Sequence, residues 1–479
     1  MSDVISYPPH KEAVLRGDYK IRVRCGEGEW ISIPTYKVKV DMHDVHEASM
    51  AYFDFEGEVM VEVSGPWYIY HVDIRPLSKG ISYDCDTKKL TFTLDKPVNL
   101  SIEFNKDRHH NLHLFAGAKE IDVPDKEDEN TLVVKGNLNR VSSFNSGIIK
   151  KLEAMPKGRC LYIEAGFHYI FESILRIPSD TKVYLEGGAI VVGGFVCSQV
   201  ENIRIFGRGI IYQADFHRFS GINGIRISHS KNIRIDDIMI VNPPHYSVYV
   251  GGSKGIEIHN IKAFSCEGWS DGIDIMSSEN ITIEGGFLRN SDDCVAIYGN
   301  RWSYKGDTKN ITVEGLTVWA DVAHPLMIGT HGDYEGDGNI IENIHFKDID
   351  ILEHHEYQDG YLGCMTINVG DKNRAMNISY ENIRVEPFKR GKLLDLQVKF
   401  NPDYNPAPGR LIENIRFKDI YYNGTGEVTS VINGYDETSP VKNVSLRNIY
   451  INGKKAESFE EANIEVGEFT KDVVIEGAD

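Results

Sequence analysis

Basic residues are in short supply: 52 Lys and Arg stand against 71 Asp and Glu, a formal net charge of −19. That balance argues against a nucleic-acid groove or an anionic membrane as partner, because both would be repelled at long range. Cysteine is scarce as well. Seven in 479 residues, an odd number with no C-x-x-C pair, exclude a disulfide frame and a cysteine zinc site, and leave Cys197, Cys266, Cys294 and Cys364 as small buried hydrophobes. No stretch approaches the ~20 apolar residues of a membrane span. Residues 1–7 lack the basic and apolar regions of a secretory leader, which predicts a cytoplasmic protein; a chain whose leader had been removed would read the same and be secreted. Disorder is excluded too, since 41% hydrophobic and 10% aromatic residues supply real cores.

What is abundant is one returning pattern: a polar residue, Asn, Ile or Val, any residue, then Ile, Val or another apolar side chain. It centres on Asn202, Asn232, Asn280, Asn310, Asn343, Asn377, Asn414 and Asn443, with a partial copy at Gly255-Ile256-Glu257-Ile258. Irregular repeats of roughly 23 to 37 residues built from short alternating segments are the mark of a stacked β-solenoid. Asn before each strand suits a sharp corner, because it tolerates left-handed backbone angles. A propeller needs ~40 to 50 residues per blade and a leucine-rich horseshoe needs Leu at fixed places. The expected fold class is therefore all-β, a right-handed parallel β-helix.

Before about Glu120 the alternation carries no such period, as in Tyr19-Lys20-Ile21-Arg22-Val23-Arg24 and Val59-Met60-Val61-Glu62-Val63, and it predicts an antiparallel β-sandwich. The division read from the sequence is a sandwich over 1–123, a charged linker and entry segment over 124–154, and a β-helix over 155–479.

Within the repeats lies a cluster of acids: Asp271 and Asp274, then Asp292 and Asp293, with His324 following. Each aspartate alone reads as turn chemistry, its carboxylate bonded to nearby main-chain N–H groups. Taken together they carry more. The 21 residues between Asp271 and Asp292 are close to one coil, so the two should lie on adjacent rungs about 4.8 Å apart. Hydrolysis of a glycosidic bond needs one protonated carboxyl and one ionised carboxylate, and crowded like charges keep at least one proton in place.

Asp271-Gly272-Ile273-Asp274, Asp292-Asp293-Cys294-Val295-Ala296-Ile297 and His324-Pro325-Leu326-Met327-Ile328-Gly329-Thr330 resemble the successive motifs of the glycoside hydrolase family 28 polygalacturonases, over roughly residues 155–370. The resemblance implies a pectin-lyase-like β-helix and inverting hydrolysis without a metal. It implies Asp292 as general acid, Asp271 and Asp293 holding the attacking water, and His324 tuning the acid. One departure stands out. That family carries an Arg-x-Lys pair one coil after the histidine, and the matching stretch here, Gly360-Tyr361-Leu362-Gly363-Cys364-Met365-Thr366-Ile367-Asn368, has no basic residue. A sandwich ahead of a β-helix with three clustered aspartates is also similar to the family 49 dextranases, which act on neutral glucans, so a neutral glycan is the preferred expectation.

Asp274, Trp269, Arg301, Trp302, Tyr304 and His331 are the expected substrate contacts, the aromatics because pyranose faces are apolar. No metal and no cofactor are expected, since the His109, His110, His113 and His354, His355 spacings fit no common site. The partner is an oligosaccharide or polysaccharide, with exo-action favoured for a cytoplasmic enzyme; oligomeric state is left open. Two alternatives stay in play: a β-helix lyase with Ca²⁺ held by the acids, and a non-catalytic carbohydrate-binding β-helix.

Overall fold

The computed structural model describes residues 3–136, 143–144, 146–425 and 428–476. Among these residues one largely parallel sheet system of 31 strands winds through the larger part of the chain, behind two sheets of six and five strands near the amino terminus. The five-stranded sheet is antiparallel, and the six-stranded one mixes antiparallel pairs with a parallel pairing of Leu112–Ala118 on His46–Glu56. Each middle coil contributes three strands. Val248–Gly251, Lys254–His259 and Lys262–Phe264 make one coil, and Ile273–Met276, Glu279–Glu284 and Phe287–Asn290 make the next. The result is a right-handed parallel β-helix with three faces. Pairing in this system begins at Thr131–Val134, which pairs with Arg159–Ile163, inside the 124–154 segment.

The repeated Asn-Ile unit makes one face. Ile233, Ile256, Ile281, Ile311, Ile344, Ile378, Ile415 and Val444 stack in register from rung to rung. All are buried, which at ~1.5–3 kcal/mol per side chain makes the column a main source of stability. Toward the carboxyl end the neighbouring inward column turns aromatic: Phe346, Tyr380 and Phe417 lie ring on ring at 4.9 Å. The asparagines sit at positive φ, from 53° at Asn232 to 60° at Asn280, at a corner near the start of each strand where the ladder skips them. Their side chains bond one another along the solenoid, as in Asn310 Nδ2 to Asn280 Oδ1 at 2.9 Å and Asn343 Nδ2 to Asn310 Oδ1 at 3.0 Å.

The sandwich closes around Val23, Phe53, Val61, Phe92, Leu100 and Leu114. Its strand His46–Glu56 is buried along nearly its whole length because its two faces meet different partners. Ala51, Phe53 and Phe55 face the sandwich core, while Ala48, Met50 and Tyr52 join a second cluster with Phe264, Phe287, Trp319 and Leu352 of the β-helix. Buried charge is paired across this seam. Arg75 reaches Glu103 at 2.9 Å and also bonds Glu386, Arg208 meets Asp54 at 2.8 Å, and Arg289 holds Asp321 and Asn111, each at 2.9 Å.

Candidate active site

The acids project from the turns that enter one face of the solenoid. Gly272 N donates to Asp293 O (2.8 Å) and Cys294 N to His324 O (2.9 Å), and the strands pair Ile273 with Val295 and Val295 with Leu326. The coil here is thus one residue longer than the expected 21. Asp271, Asp293 and His324 stack in register over three rungs, and Asp292 stands one residue ahead of that row. Gly272 is required at this crossing, since a Cβ there would lie 2.3 Å from Cys294 O.

One carboxylate oxygen from each of Asp271, Asp292 and Asp293 lies within 4.8 Å of the others. Asp292 accepts from Trp269 N at 2.9 Å and from Asp293 N at 3.1 Å. Those bonds favour ionisation, yet burial and the charge of Asp293 prevail and push its pKa up to about 7. Burial, then the neighbouring aspartates, raises Asp271 well above the carboxylate range. Asp274 is raised in the same way by burial and by Asp293; expected as a substrate contact, it is instead fully buried and does not line the cleft. Asp293 Oδ1 accepts from His324 N at 3.0 Å and lies 2.7 Å from His324 Nδ1, and Tyr298 Oη is 3.3 Å from its other oxygen. Burial alone would discharge His324, but the charge and hydrogen bond of Asp293, helped by Glu356, raise its pKa above the ordinary imidazole value. The arrangement is a hydrogen-bonded His324–Asp293 pair beside two crowded carboxyls, one of them able to hold a proton at neutrality. Three such oxygens are also a ligand set that a divalent cation could take.

Asp271, Asp292 and Asp293 open into a cleft of about 750 Å³, which Trp269, Arg301, Trp302 and His331 also line. Trp269 and Trp302 are about half exposed, as a sugar-stacking ring must be. His331 is held neutral, burial and then Arg301 lowering its pKa to about 3. His324 is sealed behind Asp293, with the edge of Tyr361 at 4.4 Å between ring centroids.

Tyr304 is a correction. It is buried, its hydroxyl shares a 2.5 Å hydrogen bond with Ser228, and its ring covers Gly251. With Arg301 it closes a tight turn, Tyr304 N to Arg301 O at 2.9 Å, so it pins the loop that presents Trp302 and does not itself line the cleft.

Several lining residues carried no sequence signal: Met42, His43, Arg218, Tyr246, Glu356, Tyr361 and Tyr404. Only Tyr246 was recoverable, because it falls in the Asp271 row one coil earlier, Ser247 N donating to Asp271 O. Arg218 lies 4.4 Å over the Trp269 ring, and the buried Nε atoms of Arg218 and Arg301 have no hydrogen-bond partner.

The profile of the Glycosyl hydrolases family 28 matches residues 221–470, more than half of the chain. The protein belongs to that family. Its sequence is 26% identical to a polygalacturonase of Juniperus ashei over 232 residues, 47% of this chain and 42% of that protein. To a probable exopolygalacturonase B of Neosartorya fischeri it is 25% identical over 350 residues, 63% of this chain and 74% of that protein. The chain thus spans less than half of the first relative. Among solved structures its fold is similar to Dex49A from Penicillium minioluteum (TM-score 0.62, 13% identity, 98% of this chain and 96% of that one). It is similar also to a family 28 exopolygalacturonase of Yersinia enterocolitica (TM-score 0.56, 12% identity, 88% and 97%). The family 28 match leaves out the sandwich and Arg218. In the coil after His324, Met327 pairs with Thr366 and Gly329 with Asn368, so Thr366 and Asn368 stand where an Arg-x-Lys pair was looked for.

Proposed function

We propose that the protein hydrolyses a glycosidic bond of an oligosaccharide with inversion, removing sugars from a chain end. The observation that carries this reading is the stacking of Asp271, Asp293 and His324 behind Asp292, whose pKa is raised to about 7. Asp292 gives its proton to the leaving oxygen. Asp271 and Asp293 hold the water that attacks the anomeric carbon, and His324 orients Asp293 through its two hydrogen bonds. These oxygens approach more closely than the ~6.5–9.5 Å kept by a simple inverting pair. A third carboxylate accounts for the difference, since the water is held by two bases beside the acid. The chemistry consumes no cofactor, and a cytoplasmic location would restrict the substrate to short imported chains.

For the sugar, an acidic residue is the leading reading: relatives named as exopolygalacturonases support it, as do the partnerless Nε atoms of Arg218 and Arg301 at the cleft. A carboxylate in an acid-rich cleft needs such cations. A neutral glycan is the second reading, favoured by Thr366 and Asn368 in place of a basic pair.

The test is reducing-end release from galacturonate and neutral oligosaccharides by wild type and Asp292→Asn, with EDTA present, and NMR of the first anomer formed. Expected are a loss of about 10³-fold or more in the variant, no effect of EDTA, and inverted product. A retained anomer would overturn the water-holding role, and unsaturated EDTA-sensitive products would make the enzyme a lyase.

A further inference from the structure

The cleft is not built by the β-helix alone. Met42 and His43 line it together with Asp271, Asp292 and Asp293, and both belong to the sandwich, in the turn between strands Tyr36–Val40 and His46–Glu56. We propose that this hairpin tip is a specificity-determining wall of the active site, contacting sugar units beyond the one at the scissile bond. The proposal rests on the hydrolase reading above.

Three observations fix the tip in place. Its root is clipped to the solenoid three residues before Met42, Lys39 N donating to Asn242 Oδ1 (2.9 Å) and Asn242 Nδ2 donating back to Lys39 O (2.7 Å). The turn is set by Asp41, at φ 61°, whose carboxylate accepts from His43 N at 3.0 Å. The His43 ring meets Tyr357 edge-on at 4.5 Å, and Tyr357 rests on His355 at 4.4 Å. A rigid seam of buried ion pairs stands behind these contacts, so the tip cannot swing away with a mobile domain.

The chemistry at the tip suits a sugar. His43 is exposed, and no hydrogen bond of its ring to the described residues competes with a bond to a hydroxyl. Met42 offers an unbranched, polarizable side chain that adapts to an irregular apolar face. Tyr357 and Gln358 continue the same wall. Because the reacting bond sits at the aspartates, a wall formed by another domain acts on units farther along the chain. It therefore weights substrates by length and not by bond chemistry.

The experiment measures kcat/KM for a dimer-to-hexamer series with wild type, the Met42→Ala/His43→Ala double variant, His43→Ala and His43→Gln, each with its Tm. Expected is a fall of about tenfold in the hexamer-to-dimer ratio of kcat/KM for the double variant, with part of it restored in His43→Gln and Tm within a degree or two of wild type. An unchanged ratio would overturn the proposal. If the double variant is unstable, the ratio for His43→Ala decides alone: equal to wild type, it overturns the proposal. Wild type inactive on every oligosaccharide would instead bring down the hydrolase reading, and this inference with it.

Discussion

At the scale of single residues, the site is a problem in where one proton sits. Asp271, Asp274 and Asp292 are all pushed upward, by burial first and then by neighbouring aspartates, Asp293 foremost for Asp274 and Asp292, while Asp293 draws His324 the same way against its burial. The sign for activity follows. Asp292 serves as acid only while protonated, so the rate should hold below about pH 7 and fall as pH rises through that value; the apparent constant belongs to the cluster and not to one residue. A kcat/KM profile still flat at pH 9 would rule out Asp292 as the acid. Trp302 makes a related point: its position depends on Tyr304, so Tyr304→Phe, which deletes the bond to Ser228, should raise KM severalfold with kcat little changed.

At the scale of the strand and its corner, the sequence shows the fold because the same physical demand recurs on every rung. A corner that needs positive φ selects Asn, and an inward position selects Ile, so the period is written out eight times. Asn343→Ala should therefore cost about 1–2 kcal/mol from backbone strain, with the bonds to Asn310 and Asn377 lost as well. Asn343→Gly loses only the bonds and should be milder; chemical denaturation of the two variants checks the order. The candidate site was half legible for the same reason. Asp271, Asp292, Asp293 and His324 occupy repeated corners and could be read in register, apart from the single-residue extension that places Asp293, and not Asp292, above Asp271. Met42, Arg218, Glu356 and Tyr404 come from connections of unequal length that obey no period, so nothing local marked them. Tyr304 was misplaced because a polar loop says nothing about a side chain that turns back under Gly251.

At the scale of the whole molecule, the two β-layers and the solenoid form one body. The face carrying Phe264, Phe287, Trp319 and Leu352 is covered by Met50, Tyr52 and Phe115, and the buried carboxylate of Glu386 keeps Arg75 as its partner only while the sandwich is docked. Removing residues 3–118 would bare an aromatic strip and strand a charge, each a recognised source of severe destabilisation. Expression of residues 124–479 alone should give aggregated protein, and a soluble, cooperative unfolding transition from that fragment would contradict the account. The seam also has a meaning in time. During translation the sandwich leaves the ribosome ahead of the coils it covers. Each apolar rung from Phe264 to Leu352 is therefore born beside a finished template, and the sticky side of a slowly growing solenoid has its shelter before it has its neighbours.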